Sequence, residues 1–511
     1  MRVRRDAVRV LAAIGVALLS LTLTPTSARA QHVPLAQLLP DLILREIVLQ
    51  SPPVPAGVPG IPAGFTHVAH FSPLEAGELN NPVVAIVQGF NTQMATQFST
   101  FPLGSSSGGM TYAFDESVGT FRRSSASFGP LFAERALTIG RRKLNAGFNY
   151  QRTSYNTFEG QNLDDGSIKF YLRHQDCCYA VASPNPPFFQ VILAPNGNRF
   201  NLPLEGDLIE ASLSLKATTH TTAVFANYGL TDRWDVGLAV PFVRVNMEAG
   251  VRARVLRLVT GPPPDAPLTP AQRQSALNVH TFEQGNPNAT LTLQRTGQAT
   301  GLGDVVVRSK YRFLRAAGGG LAAVVDLRLP TGDESELLGA GGTQAKFLLV
   351  ASNERGRFGQ HVNVGYTAAQ GNVAGTLAGL TSTQLPDEIN YTGGLEFVAN
   401  PRLTMMGDFV GRTLRGAGRL DLVSKKFEYT DPSLFGSPGC LGFPDFQGCR
   451  GSIARDEFAP RSANLTLLLG TGGFKYNIAG NLLISGNVLF PLTKAGLRSR
   501  VTTIVGVDYA F

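Results

Sequence analysis

The chain has 511 residues, of which 16% are charged, and its mean hydropathy is +0.03. A mean hydropathy near zero argues against a helical membrane protein but suits a β-barrel, whose polar interior offsets its lipid-facing side chains. Five Arg and one Asp in residues 1–30 supply four of the eight net positive charges, and no basic block remains elsewhere, so nucleic acid is not an expected partner.

The first 30 residues are predicted to be a secretory signal peptide. Four Arg residues precede an apolar run at Leu11–Leu23, and Ala28-Arg29-Ala30 provides a cleavage site with small residues. A transmembrane anchor is the weaker alternative, because the apolar run is shorter than the ~20 residues that a spanning helix needs.

Residues 31–140 carry no regular strand pattern. An amphipathic stretch interrupted by Pro40 predicts a short periplasmic helix, and the Pro/Gly-rich residues 51–64 predict a linker. Two short alternating pieces, Met110–Phe114 and Thr120–Arg123, are compatible with early barrel strands or with a plug folded into the lumen. The sequence leaves both interpretations open.

Residues 141–511 are predicted to form a transmembrane antiparallel up-and-down β-barrel. In the last stretch, an apolar row that ends in Tyr509 and Phe511 alternates with a row of small or polar residues. The same alternation recurs upstream and gives about twelve strands, with fourteen as the alternative. The twelve lie near residues 142–155, 207–229, 234–250, 302–315, 319–331, 343–353, 357–369, 387–399, 402–416, 461–478, 482–494 and 499–511.

The connections between these strands alternate between tight turns and long segments. Turns such as Thr231-Asp232-Arg233 and Asn400-Pro401 are followed by long segments, of which the largest are 156–206, 251–301 and 417–460. Outer-membrane barrels join their strands by short periplasmic turns and longer external loops, whereas a soluble β-sandwich has no reason to do so. The pattern predicts a location in the cell outer membrane, with Phe511 at the periplasmic rim.

The alternation also assigns the two faces of each strand. Val307, Tyr311 and Phe313 are expected to face lipid, which turns the intervening basic residues toward the lumen. Arg or Lys at mid-depth on the lipid face would cost about 2–4 kcal/mol, which fixes this register. In strand 461–478 the alternation breaks at Gly470–Gly473, which predicts a bulge.

Nine charged residues are predicted to line the lumen. Five are basic and four are carboxylates that could face them: Arg308, Lys310, Arg312, Arg328, Lys346, Asp326, Glu396, Asp408 and Asp508. One interpretation is a polar constriction that sorts permeants by charge. The other is a salt-bridged interior that locks a narrow barrel, and it is favoured because buried charges are usually paired.

Other chemistry is only weakly indicated. Cys440 and Cys449 flank a Pro/Gly loop and form the favoured disulfide among the three pairings that four cysteines allow. His70 and Ser72 match the His-x-Ser order of outer-membrane phospholipases, but coincidence explains them better in so irregular a region. The aspartates of segment 156–206 lack calcium-loop spacing. No catalytic residue, metal or cofactor is therefore expected.

Three stretches resemble a known family: residues 226–243 (ANYGLTDRWDVGLAVPFV), 301–313 (GLGDVVVRSKYRF) and 327–341 (LRLPTGDESELLGAG). Over roughly residues 110–511 the sequence resembles the outer-membrane barrel family named for the meta-pathway of phenol degradation. Members of that family are described as transporters and are distantly similar to FadL-type channels for hydrophobic compounds. The resemblance implies a barrel that takes up small, poorly soluble organic molecules, and it carries over no binding residue.

The leading hypothesis is a monomeric outer-membrane channel that passes small organic molecules, including hydrophobic or aromatic ones, passively and without an enzymatic step. The alternative is a filled structural or surface-binding barrel that acts through its long external loops. The expected partners are outer-membrane lipid, the organic permeant and the barrel-assembly machinery, which would recognise the C-terminal strand ending in Phe511.

Overall fold

A computed structural model describes residues 33–50, 82–99, 104–105, 109–115, 117, 120–173, 178–182, 189–193, 207–258, 280–316, 318–373, 383–431, 434, 437–440 and 450–511. The predicted signal peptide and linker lie outside these residues. The chain divides into two units, Met1–Pro34 and Leu35–Phe511, and every element below belongs to the second. None of the helices described is long and apolar enough to cross a lipid bilayer.

Strands dominate the described chain. The helices are α1 (Leu35–Leu44) and α2 (Pro82–Ser99). The strands are β1 (Tyr112–Asp115), β2 (Thr120–Arg123), β3 (Leu144–Phe158), β4 (Gln161–Asn162), β5 (Ile168–Arg173), β6 (Cys178–Ala182), β7 (Phe189–Leu193), β8 (Leu208–Gly229), β9 (Trp234–Leu256), β10 (Thr290–Leu302), β11 (Val306–Ala316), β12 (Gly319–Arg328), β13 (Gly342–Arg355), β14 (Phe358–Gly371), β15 (Glu388–Asn400), β16 (Leu403–Leu414), β17 (Arg419–Thr430), β18 (Arg450–Arg461), β19 (Leu465–Ala479), β20 (Leu482–Pro491) and β21 (Leu497–Ala510).

Twelve of these strands close into a barrel. Their order is β3, β8, β9, β11, β12, β13, β14, β15, β16, β19, β20 and β21, and β21 then pairs with β3. Every neighbouring pair is antiparallel. The structure therefore confirms the all-β fold class and, within the described chain, twelve barrel strands rather than fourteen.

Large apolar side chains cover the outside of this barrel. Phe313, Leu349 and Tyr509 are 47%, 59% and 42% exposed, whereas the inward-pointing Lys310 and Asp508 are buried. A water-soluble sheet would have the opposite arrangement, because exposed apolar surface is then unfavourable. The predicted register is confirmed, and the barrel is of the transmembrane type.

The apolar outer face has a clear limit on β9. Its outward row is apolar from Trp234 to Phe242 and then changes to the exposed charged residues Arg244 and Glu248. At about 3.3 Å per residue the apolar part spans roughly 26 Å along the strand, which a tilt of about 40° reduces to roughly 20 Å of height, compared with the band about 25 Å tall that meets lipid in such barrels. The upper parts of β8 and β9 therefore extend beyond the membrane at the end that carries the long connections.

We expect Leu349→Arg, on the lipid face of β13, to lower the free energy of unfolding by about 2–4 kcal/mol, because the guanidinium enters hydrocarbon. The matched control is Thr296→Arg on β10, an exposed position that pairs with Glu248 beyond the apolar band. Denaturant titration of barrels folded in lipid vesicles measures both variants. Equal stability of the two would contradict the lipid-facing assignment.

The long connections contain elements that strand alternation does not predict. β10 pairs with the upper part of β9, β5 pairs with the upper part of β8, and β17 and β18 form a separate hairpin. The sequence pattern also gives no sign of α2, whose buried polar residues, among them Asn91 and Gln93, interrupt its apolar surface. β1 and β2 pair with each other and lie outside the barrel sheet.

Helices α1 and α2 form a cap at the end of the barrel with the long connections. Leu35 and Leu39 are fully buried in an apolar core that also contains Leu338 and Leu385 from two of those connections. The tight turns lie at the opposite end. The prediction that α1 and the tight turns are both periplasmic is therefore not compatible with the structure, because the apolar side of α1 packs among the upper ends of the strands.

The predicted bulge at Gly470–Gly473 is wrong. β19 pairs without interruption across these residues with β16 and β20, and its register shift lies at Asn477–Ala479. A Cβ at Gly470 would lie 2.6 Å from the ring of Phe490. The break in alternation thus reflects a close approach of a neighbouring aromatic side chain and not an extra residue in the strand.

Candidate functional site

A segment with no strand partner, Ser125–Gly140, runs through the interior of the barrel and is called the inner segment here. Gly129 has a φ of 80°, and Pro130 has no N–H to donate, so neither a helix nor a strand continues through this sequence. Its buried backbone groups nevertheless need hydrogen-bond partners. Side chains on the inward face of the barrel wall supply them.

Two wall residues hold the first half of the inner segment. Asp408 Oδ2 accepts hydrogen bonds from the backbone N–H groups of Leu131 (3.0 Å) and Phe132 (2.7 Å). Lys475 Nζ donates to the carbonyl oxygen of Pro130 (3.0 Å). A carboxylate and an ammonium group on neighbouring strands thus bind the donors and the acceptors of one stretch of backbone.

The second half is held from β13 and β14. Asn363 binds both backbone groups of Glu134: its Oδ1 accepts from the N–H (2.7 Å), and its Nδ2 donates to the carbonyl oxygen (3.0 Å). Ser352 Oγ accepts from the N–H of Ala136 (2.8 Å). These bonds reproduce, with side chains, the pairing that a neighbouring strand would give.

Ser352 is itself part of a hydrogen-bonded chain. His361 Nδ1 lies 2.9 Å from Ser352 Oγ, and His361 Nε2 bonds Glu396 Oε1. Serine, histidine and a carboxylate in this order resemble the arrangement of nucleophilic hydrolases. Here the histidine and the carboxylate are buried, and the serine oxygen accepts a hydrogen bond from the backbone of the inner segment. The Ser352–His361–Glu396 hydrogen bonds therefore hold that segment in place.

Ionic side chains connect the inner segment to β9, β11 and β12. Arg308 donates from Nε and Nη2 to the two carboxylate oxygens of Asp326, at 2.6 Å each, and from Nη1 to Glu134. Lys310 Nζ lies 3.6 Å from Glu134 and 3.8 Å from Asp235. The buried Glu134 is thereby neutralised by two cations from the wall, as buried charges generally require.

The nine charged residues predicted to line the lumen do not form one group. Arg308 and Asp326 bond each other, Lys310 and Asp408 contact the inner segment, and Arg328 and Lys346 face a cavity described below. The other three lie elsewhere on the inner wall. Arg312 donates to the carbonyl oxygen of Gly319 near the tight turns, and Glu396 bonds His361. Asp508 is buried and is attracted by the positive charge of Lys475. A role for any of the nine toward a permeant stays a prediction.

Two small cavities flank the inner segment, and Phe132 and Arg308 border both. The first has a volume of about 60 Å³ and is lined mainly by β3, β8 and β9. The second has a volume of about 90 Å³ and lies against β11 to β16, toward the long connections. Each of these two cavities is large enough only for a small molecule.

Sequence reasoning missed several residues of this site. Glu134 and Arg135 are a charged pair inside an otherwise apolar stretch, which is a signal of burial against charged partners. Lys475 and Arg412 occupy inward positions of β19 and β16, so the same alternation that identified Asp408 could have identified them. Asn363 carries no such signal, because an amide on the inner wall is ordinary.

The remaining predicted sites are only partly within the described residues. Cys440 is disulfide-bonded; Cys449, like His70 and Ser72, lies outside the described residues, so the Cys440–Cys449 pairing stays a prediction. Hydrogen bonds from Ser167 and Asn162 hold the pKa of Asp165 below its ordinary value. Across the described chain, no cluster of three or more His, Cys, Asp or Glu residues could bind a metal ion.

Comparison with known proteins gives structural likeness only. No protein-family model matches the chain, and no curated protein matches its sequence. The resemblance to the meta-pathway family is therefore not confirmed.

Several solved structures are similar over most of the chain. A FadL homologue from Pseudomonas aeruginosa has 10% identity and a TM-score of 0.28, over 73% of this chain and 89% of the other. The toluene transporter TbuX from Ralstonia pickettii has 11% identity and a TM-score of 0.23, over 74% and 91%. The translocator domain of the autotransporter NalP from Neisseria meningitidis has 10% identity and a TM-score of 0.24, over 73% of this chain and 89% of the other. Scores this low assign the chain to none of these families.

Proposed function

We propose that this protein is an outer-membrane channel through which small organic molecules pass down their concentration gradient. The observation that carries the proposal is that a separate chain segment fills the lumen, while the wall itself remains a continuous sheet. A closure of this kind can open by rearrangement of the inner segment, without breaking any pairing between barrel strands.

The size of the barrel supports the same proposal. Barrels of about eight strands are filled by their own side chains, whereas barrels of 16–18 strands enclose an aqueous channel. Twelve strands lie between these cases. A structural barrel of this size could fill its interior with large side chains of the wall. Here, instead, polar side chains of the wall form hydrogen bonds with the inner segment, Ser125–Gly140.

The interior also changes character along its axis, which supports a small amphiphilic permeant. The cap at the long connections is an apolar core built around α1 and α2. Below it, the cavity between the inner segment and β11 to β16 is lined by charged and polar side chains. A molecule with an apolar body and a polar group can contact apolar side chains at the cap and polar side chains in the cavity.

Uptake by proteoliposomes tests this function. We expect radiolabelled nicotinamide and benzoate to equilibrate faster in vesicles that contain the folded protein than in empty vesicles, and raffinose to be excluded because of its size. Vesicles with heat-unfolded protein serve as the control for lipid leakage. Absence of any protein-dependent flux, with the barrel folded, would contradict the channel function.

A structural or surface-binding role is the second candidate. It is favoured by the strand extensions beyond the apolar band, where β8, β9 and β10 carry exposed charged residues such as Arg244 and Glu248. Under either function we propose a monomer in outer-membrane lipid. We also propose that the barrel-assembly machinery recognises β21, which ends beside the tight turns, where Phe511 N–H donates to Leu144 O at 2.8 Å.

A further inference from the structure

The outside of the barrel carries three basic side chains at the upper limit of its apolar face, called the basic row here. Arg152 on β3, His220 on β8 and Arg244 on β9 are direct partners in the register of these neighbouring strands. They point outward, since they alternate with buried inward residues such as Thr153 and Val243. Neighbouring strands lie about 4.8 Å apart, so the basic row is a patch about 10 Å wide.

The guanidinium groups of the basic row are exposed and are not neutralised by a carboxylate. Arg244 donates to two uncharged amides, from Nε to Asn246 Oδ1 (3.2 Å) and from Nη2 to Gln298 Oε1 (2.9 Å). Within the described chain, Arg152 forms no hydrogen bond or ion pair. The patch therefore presents uncompensated positive charge on the outside of the wall.

The nearest carboxylates in these alternating rows are engaged by other cations. Glu248, four residues beyond Arg244 on β9, pairs with Lys216 at 3.6 Å. Glu210, far above the row on β8, pairs with Arg254 at 2.9 Å. The outer neighbours β10 and β21 present no Asp or Glu on the outward face. The charge of the basic row is thus available to an external anion.

The wall below the basic row is apolar. Phe148 on β3, Val224 on β8 and Val240 on β9 form a second row of register partners, four residues closer to the tight turns. Between the two rows, Tyr150 Oη lies 2.7 Å from His220 Nδ1. An aromatic side chain with a polar tip is typical of the level where the lipid headgroups begin. Cations above an apolar strip match the headgroup and the acyl chains of an anionic lipid.

We infer that the basic row binds the phosphate headgroup of a lipid in the leaflet at the end with the long connections. The guanidiniums of Arg152 and Arg244 donate charge-assisted hydrogen bonds to the phosphate oxygens. When His220 Nδ1 accepts from Tyr150, the ring proton is on Nε2, which can donate to a third oxygen. The acyl chains lie along the apolar row below. A free phosphate ion would contact only the upper row.

Native mass spectrometry of the detergent-solubilised protein tests the site. The probes are dioleoyl phosphatidate, dioleoylglycerol, which has the same acyl chains without a phosphate, and inorganic phosphate. We expect phosphatidate to bind more tightly than dioleoylglycerol. An excess of inorganic phosphate should not displace it, because the free ion gains nothing from the apolar row.

Variants of the basic row separate this site from other exposed charges. Arg152→Gln and Arg244→Gln should each weaken the binding of phosphatidate by roughly tenfold, the contribution of one hydrogen bond to a charged group. Arg244→Lys keeps the charge and should retain most of the binding, which separates the loss of charge from a loss of folding. Arg252→Gln is the matched control, because Arg252 is exposed on the same strand and face, about 26 Å further from the apolar band.

Three results would overturn the inference. Phosphatidate could bind no more tightly than dioleoylglycerol, both glutamine variants of the basic row could bind it like the unaltered protein, or Arg252→Gln could weaken binding to the same extent. Displacement of phosphatidate by inorganic phosphate would also overturn it, since the basic row would then take a free anion and not a lipid.

Discussion

Arg308→Met is expected to lower the free energy of unfolding by about 3–5 kcal/mol, the usual effect of breaking a buried ion pair by removing one partner. Arg308 gives two hydrogen bonds to Asp326 and one to Glu134, and both carboxylates are buried. Methionine fills a similar volume but leaves Asp326 without its cation and Glu134 with Lys310 alone. The loss is therefore due to uncompensated charge and not to a cavity.

Arg312→Met is the matched control for this variant. Arg312 lies on the same strand, points to the same side and is buried, but within the described residues it donates only to the carbonyl oxygen of Gly319 and forms no ion pair. Its replacement should lower the free energy of unfolding by only about 1 kcal/mol. Denaturant titration in lipid vesicles compares the two.

Adding Asp326→Asn to Arg308→Met should recover part of the lost stability, since it removes the carboxylate that has lost its hydrogen-bonded cation. A single variant Arg308→Met as stable as Arg312→Met would show that the ion network contributes nothing specific. Failure of the second substitution to recover stability would assign the loss to packing around the arginine.

The wall of this barrel could be read from the sequence because each strand carries its own evidence. In β11, Tyr311 and Phe313 alternate with Arg308, Lys310 and Arg312, and a shift by one residue would place three cations in lipid. The same local rule identifies the other barrel strands, although the alternation is interrupted at Gly470–Gly473 in β19. Their number, order and facing therefore follow from a period of two.

The interior could not be read in this way. The inner segment has no period, and its partners on the wall, such as Asn363 and Asp408, lie more than 200 residues away in sequence. Local alternation predicts that Arg308 and Lys346 point inward, but not that the first is bound to carboxylates and the second faces a cavity. That distinction depends on where Glu134 lies, which only the folded chain determines.

Removing both closures of the lumen should have the largest functional effect. A variant that lacks residues 35–139 loses the cap helices and nearly all of the inner segment but keeps every strand of the closed barrel. Its inward charged side chains would then face water, which solvates them without the segment. We expect steady ion conductance in planar bilayers, well above that of the complete protein, because twelve strands enclose a wider lumen than the eight whose own side chains fill it.

Two further variants show whether the closures act in series. One lacks residues 35–103 and keeps the inner segment; the other keeps the cap and carries a Gly-Ser sequence of equal length in place of Leu131–Thr138. Each should conduct no more than the complete protein, because an apolar core blocks ions as effectively as a hydrogen-bonded segment does. If the variant without residues 35–139 folds but does not conduct, the wall itself fills the lumen. The barrel would then be a structural element, and the surface-binding role of the strand extensions beyond the membrane would be the favoured function.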